Sequence, residues 1–235
     1  MTTAPARILL IPGFWLGAWA WDDVAARLRQ LGHDVEALTL PGLEPGFAHP
    51  GEIALEDHVV AIEAAIGDGP VVLVAHSGAA IPATVAIDRN VDRVLRSVWV
   101  DTAPVVDGFA MDASFEGDAL PIEANWEDEL EQGSMRDLSE EQLAALRGRA
   151  VPEPAGAVRD PARLTDDRRL DVPATIICTA FPAEDYRSYA EQGMGFLAGL
   201  LEHRALTLVD LPTGHWPMWS KPAELAARID EAARG

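Results

Sequence analysis

Short runs of unbroken apolar residues alternate along this chain with longer stretches in which apolar residues recur every three or four positions. VVLVAHS (71–77) is of the first kind, and RILLIPG (7–13), PATIICTA (173–180) and VLRSVWVDTA (94–103), the last interrupted by Arg96 and Ser97, read as further strands. Runs of that length read as strands, and the unbroken apolar run at 71–77 predicts burial on both faces of a sheet. DVEALTLPG (34–42) and LTLVDLP (206–212) complete a predicted set of six. Helical spacing marks AWDDVAARLRQLG (20–32), with Gly32 at the C-cap, and LEDHVVAIEAAIGDG (55–69). It also marks GAAIPATVAIDRN (78–90) and AELAARIDEAAR (223–234). Pro82 is tolerable only in the first turn of its helix, because it has no N–H to donate. Strands alternating with helices predict an α/β fold, a mostly parallel sheet with helices on both faces. The stretch 107–170 breaks the rhythm: it is acidic and proline-rich, with one clear helix, SEEQLAALRGRA (139–150). It is expected to be a small cap inserted over one edge of the sheet, within a single domain spanning 1–235.

Charge narrows the partners. The 235 residues include 38 Asp and Glu against 18 Lys and Arg, a formal charge of −20. Phosphate backbones and anionic membranes need clustered cations, so neither nucleic acid nor a membrane surface is expected as a partner. The apolar run ILLIPGFWLGAWAW is broken by Pro12 and Gly13 and followed by Asp22 and Asp23, so it is not read as a signal or a span. A cytoplasmic protein is expected, its partners a small-molecule substrate and, at most, a second copy of itself as a homodimer. The one cysteine, Cys178, lies inside the apolar run TIIC and reads as a small buried hydrophobe. No phosphate loop, dinucleotide fingerprint or metal-ligand spacing stands out, and no cofactor or metal is expected.

Ligands of open parallel sheets bind at the carboxyl ends of the strands. The polar residues at those ends are His76 and Ser77 after the third predicted strand, Asp101 after the fourth, Thr179 with Glu184 and Asp185 after the fifth, and His215 in PTGHW after the last. The order Ser, acid, His is that of the α/β-hydrolase triads. The chain resembles a small α/β-hydrolase of the methylesterase and hydroxynitrile-lyase-like branch. LLIPGFWLGAWAWDDVAARLRQLGHDVEALTLPG, VVLVAHSGAA and LPTGHWPMWSKPAEL carry the likeness, which covers nearly the whole chain apart from 107–170.

The resemblance implies that Ser77 is a nucleophile, although the motif G-x-S-x-G reads Ala75-His76-Ser77-Gly78-Ala79 here. The need behind the motif is small neighbours around a sharp turn, and alanine is the next smallest side chain. His215 is implied as the base. The backbone N–H groups of Phe14 and Gly78 would hold an oxyanion. Pro12 stands where relatives carry histidine, which leaves the Phe14 N–H in place. The acid is the open member, since the family position falls on Phe181. Asp101 is preferred, because a strand end holds a side chain more rigidly than a loop; Asp185 is the alternative. Trp15, Trp126 and Trp216 are expected to line an apolar substrate pocket.

These expectations add up to a cofactor-independent serine esterase that cleaves a small, largely apolar carboxylic ester through an acyl-enzyme. Two alternatives share the fold: a cofactor-free C–C hydrolase or lyase, and a ligand-binding homologue without catalysis. The lyase version is weakened because the only lysine is Lys221, several residues past His215.

Overall fold

A computed structural model describes residues 5–235. Six strands form one parallel sheet: β1 (Arg7–Ile11), β2 (Asp34–Ala37), β3 (Val71–His76), β4 (Val94–Val100), β7 (Ala174–Cys178) and β8 (Leu206–Asp210). Two short strands intervene in sequence, β5 (Ala119–Leu120) and β6 (Glu153–Pro154), which pair antiparallel with each other. The sheet order is β2-β1-β3-β4-β7-β8, with β3 and β4 central. The helices are α1 (Asp22–Gln30), α2 (Leu55–Ile66), α3 (Ala80–Arg89), α4 (Trp126–Glu131), α5 (Glu140–Arg149), α6 (Ala155–Arg159), α7 (Ala183–Glu191), α8 (Gly199–Glu202), α9 (Pro217–Ser220) and α10 (Pro222–Arg234). None among the described residues is long and apolar enough to cross a membrane.

The period of two along the strands splits the core into two layers. Leu9, Ile11, Leu73 and Ala75 face one side, packed with α2, α3 and α7. Ile8, Leu10, Val72 and Val74 face the other, packed with α1 and α10. Burying a Leu or Ile side chain stabilises by ~1.5–3 kcal/mol, so these layers hold the sheet rigid beneath its carboxyl edge. α1 shows how local sequence agrees with this packing. Val24, Ala25 and Leu28 are buried on one face, Asp22 and Asp23 stand in the first turn, and Arg27 and Arg29 stand in the last. Those charges complement the helix dipole. Every residue of α3 from Ala80 to Asp88 is buried, and Pro82 sits in its first turn as expected. Cys178 is buried on β7, and burial pushes its thiol up to about 12, which leaves it unreactive.

The structure differs from the sequence expectation in two places. The second strand ends at Ala37, and the TLPG that follows leaves the sheet. The excursion 107–170 holds three helices and a two-stranded ribbon rather than one helix. Elements of two to six residues are too short to show a period. Only α5 carries a start signal in sequence, a capping box in which Ser139 accepts from the Gln142 N–H at 3.2 Å and Gln142 accepts from the Ser139 N–H at 2.9 Å.

Candidate active site

β3 ends at His76, and the chain turns at once into α3 through a 3-10 turn over Ser77–Ala79. Ser77 sits in the turn with φ of +52°, in the left-handed region that L-residues rarely adopt. Two glycines make this geometry fit. A Cβ on Gly13 would lie 2.8 Å from the Ser77 Cβ, and a Cβ on Gly78 would lie 2.4 Å from the Phe14 ring. Ala75 and Ala79 are buried without such conflict, which explains how alanines stand where the usual motif has glycines. The turn thus brings the Phe14 and Gly78 residues together. No protein acceptor among the described residues takes either backbone N–H.

The Ser77 Oγ lies 2.8 Å from His215 Nε2, and His215 Nδ1 lies 2.5 Å from Asp101 Oδ2. With Nδ1 protonated against the carboxylate, Nε2 is free to accept the Ser77 proton. Asp101 follows β4 and, like Ser77, has φ of +52°. Its other oxygen, Oδ1, accepts from the backbone N–H groups of Thr179 and Ala180 at 3.3 and 3.0 Å and from the Tyr186 hydroxyl. Burial alone would raise the Asp101 carboxyl, but the hydrogen bond and charge of His215, with the Ala180 and Tyr186 donors, hold it far below the ordinary carboxylate range. Burial opposes the charged form of His215, yet its hydrogen bond to Asp101, the charge of Asp101 and the more distant Glu129 raise it above the ordinary 6.5. Asp185, the other acid considered, lies in the first turn of α7, and His215 hydrogen-bonds to Asp101 instead.

Three further groups fix the loop that carries His215, and sequence reasoning assigned none of them that role. The His76 Nε2 donates to the His215 carbonyl at 2.7 Å. Burial and the neighbouring His215 push His76 down to about 3, so it stays neutral. The segment 133–137 of the excursion closes over the loop: the His215 N–H donates to the Ser134 carbonyl at 2.7 Å, and the Thr213 hydroxyl donates to Asp137 at 2.9 Å. A Cβ on Gly214 would lie 2.4 Å from the Ser134 carbonyl oxygen and 2.5 Å from that of Arg136. Arg136 also donates to the carbonyls of Thr179 and Ala180 at 2.8 and 3.0 Å, tying the loop whose N–H groups hold Asp101 to the same segment. The stretch GSMRD (133–137) has no motif that announces these contacts.

A cavity of about 350 Å³ opens beside Ser77, Asp101 and His215. Met111, Phe181, Met194, Phe196 and Leu197 give it apolar walls, with Glu129, Gln132 and Arg136 as its polar side. The three tryptophans expected there are elsewhere. Trp15, Trp126 and Trp216 are buried in the core layer that also holds α1 and α10. Large aromatic side chains gain most from full burial, and their nearness in sequence to the site loops does not set which way they face. Phe181, onto which the resemblance placed the acid, is instead a wall of this cavity. Among the described residues no cluster of three or more His, Cys, Asp or Glu could hold a metal ion.

Comparison with known proteins agrees with this architecture. The chain is 27% identical to Methylesterase 7 of Arabidopsis thaliana over 255 aligned positions, covering 97% of this chain and 96% of the relative. An extracellular alpha/beta-hydrolase from a Paenibacillus species has the same fold, with a TM-score of 0.74 and 21% identity over 98% of this chain and 100% of that one. A methylesterase from Arabidopsis superposes with a TM-score of 0.72 at 18% identity, over 97% of this chain and 98% of that one. The family model described as "Alpha/beta hydrolase family" matches residues 8–228, and the chain belongs to that family.

Proposed function

We propose that the protein is a cofactor-independent serine hydrolase acting on a small, largely apolar carboxylic ester. The observation that carries this reading is the continuous hydrogen-bonded chain Ser77–His215–Asp101 at the mouth of an apolar-walled cavity. Ser77 Oγ attacks the ester carbonyl while His215 Nε2 takes its proton. The Phe14 and Gly78 N–H groups receive the charge that develops on the carbonyl oxygen, a contribution worth ~10²–10³ in rate per donor. His215 then protonates the departing alkoxide and, in the second half, draws a proton from water to release the acid. The excursion 107–170 acts as the cap, contributing Met111, Glu129, Gln132 and Arg136 to the cavity. The esterase names among the relatives support ester cleavage over other chemistry on this fold. Lys221, the residue a lyase reading would need, does not line the cavity.

The test is labelling with a fluorophosphonate, with the adduct mapped by mass spectrometry, alongside turnover of short p-nitrophenyl esters. An adduct on Ser77 and measurable turnover are expected; an unlabelled Ser77 with no turnover refutes the reading. The pH profile adds a sharper check. His215 acts only when neutral, and its partners raise its pKa, so kcat/KM should fall as pH drops through a midpoint above 6.5. A midpoint below 6.5 would show that burial of the imidazole outweighs the pull of Asp101, against this expectation. Gly214→Ala should displace the loop that carries His215, because the new Cβ meets two backbone carbonyls rather than a yielding side chain. A shift on the order of 1 Å costs ~10² in kcat with a smaller change in KM. Unchanged kcat in this variant would show that the loop tolerates displacement.

A further inference from the structure

Trp15 is the residue after the proposed oxyanion donor Phe14, and its backbone is held in an unusual way. It has φ of +69°, a strained conformation for a bulky residue. All three of its hydrogen bonds reach into the excursion. Its indole N–H donates to the Leu120 carbonyl at 2.9 Å, its carbonyl accepts from the Val151 N–H at 3.0 Å, and its backbone N–H donates to Glu153 Oε2 at 3.0 Å. Leu120 and Glu153 face each other across the β5–β6 ribbon, so one small element supplies two of the three partners that grip the turn.

Glu153 is 1% exposed. The influences on its ionisation are burial and the Trp15 N–H, with no cation beside it. Burying a lone carboxyl is costly, and a backbone carbonyl or an amide would satisfy one N–H at less expense. Its surroundings locate its role. Glu153 lines a small cavity of about 10 Å³ together with Pro12, Gly13 and Phe14 of the oxyanion turn and Gly78 of the Ser77 turn. Burial pushes the Glu153 carboxyl up to about 8, so at neutral pH it is mostly protonated. His58, on α2, is the other titratable side chain lining this cavity, and burial lowers it toward its neutral form. Neither group then places a charge against an oxygen that is becoming negative.

We propose that Glu153 is a positioning residue for the oxyanion turn, fixing the Trp15 amide and through it the orientation of the Phe14 N–H. The proposal rests on the serine-hydrolase reading and adds a residue contributed from outside the sheet edge. It also assigns the β5–β6 ribbon a function, which is to lock the turn into a conformation its own sequence disfavours.

Three variants test it, compared with wild type for melting temperature, fluorophosphonate labelling, kcat, KM and pH profile on a p-nitrophenyl ester. Glu153→Gln keeps an acceptor at the same reach and should stay within about 3-fold of wild type in kcat. Glu153→Met removes the acceptor, and Glu153→Asp withdraws it by one methylene. Both should lose ~10–100-fold in kcat, the range of a misplaced or weakened oxyanion donor. KM should change by less than about 3-fold, and the acid limb assigned to His215 should stay where it is in wild type. If Glu153→Met fails to fold, Glu153→Asp decides the matter. A kcat near wild type in a folded acceptor-withdrawn variant overturns the proposal. So does an equal loss in Glu153→Gln, or a loss that appears only in KM or as a shifted acid limb. Absence of labelling and turnover in wild type would overturn the hydrolase reading, and the proposal with it; wild-type activity with indifferent variants overturns the proposal alone.

Discussion

Ser77→Ala should lower kcat on p-nitrophenyl esters by on the order of 10⁶ and abolish fluorophosphonate labelling, with the melting temperature nearly unchanged. The magnitude follows from the way such groups act as a unit: once the attacking oxygen is gone, His215 has no proton to take and Asp101 no imidazolium to stabilise. A Ser77→Ala, His215→Ala double variant should therefore be no slower than the single variant. Alanine keeps the Cβ that already fits between Gly13 and the turn, so folding is not at issue. Residual activity within 100-fold of wild type would mean that another group performs the attack.

Asp101→Asn should cost ~10⁴ in kcat, while Asp185→Asn should leave it near wild type. The hydrogen bonds around Asp101 dictate the first result. Three donors, from Thr179, Ala180 and Tyr186, converge on Oδ1. An asparagine must turn its only oxygen toward them, which points its NH₂ at His215 Nδ1. The imidazole then has to accept at Nδ1 and carry its proton on Nε2, the tautomer that cannot take a proton from Ser77. The protein folds with the same side-chain volume in place but holds its base the wrong way round. Loss of activity in Asp185→Asn alone would reverse the assignment of the acid.

Much of this site is legible in the sequence, because a parallel sheet delivers every strand's carboxyl end to one edge. Ser77, Asp101 and His215 each follow a recognisable apolar run, and the structure joins them by hydrogen bonds. Preferring Asp101 over Asp185 rested on rigidity at a strand end, and the same feature lets Asp101 gather its fixed donors. The walls of the cavity were not legible. They come from side chains around 111, 129–136 and 181–197, whose meeting point depends on how short elements fold back over the edge. The expectation placed Trp15, Trp126 and Trp216 there on proximity along the chain, whereas burial took them into the core. Glu153 and the 133–137 segment were equally hidden, since their contacts span dozens of residues and leave no local period or motif.

The left-handed backbone at Trp15, Ser77, Asp101 and Asp137 also bears on how the chain can change. These are the only non-glycine residues with positive φ among those described, and every one of them touches the site or a loop that holds it. Aspartate visits this region more readily than serine or tryptophan, but strained positions cost of order 1–3 kcal/mol each. Total folding stability is typically only 5–15 kcal/mol. Glycine at 77 would relieve the backbone there but delete the hydroxyl, whereas at 101 it would also orphan the donors that converge on the carboxylate, and at 15 it would empty part of the core. At Ser77 a gain in backbone ease therefore comes at the expense of the proposed attacking oxygen, so selection for heat tolerance alone would not preserve it.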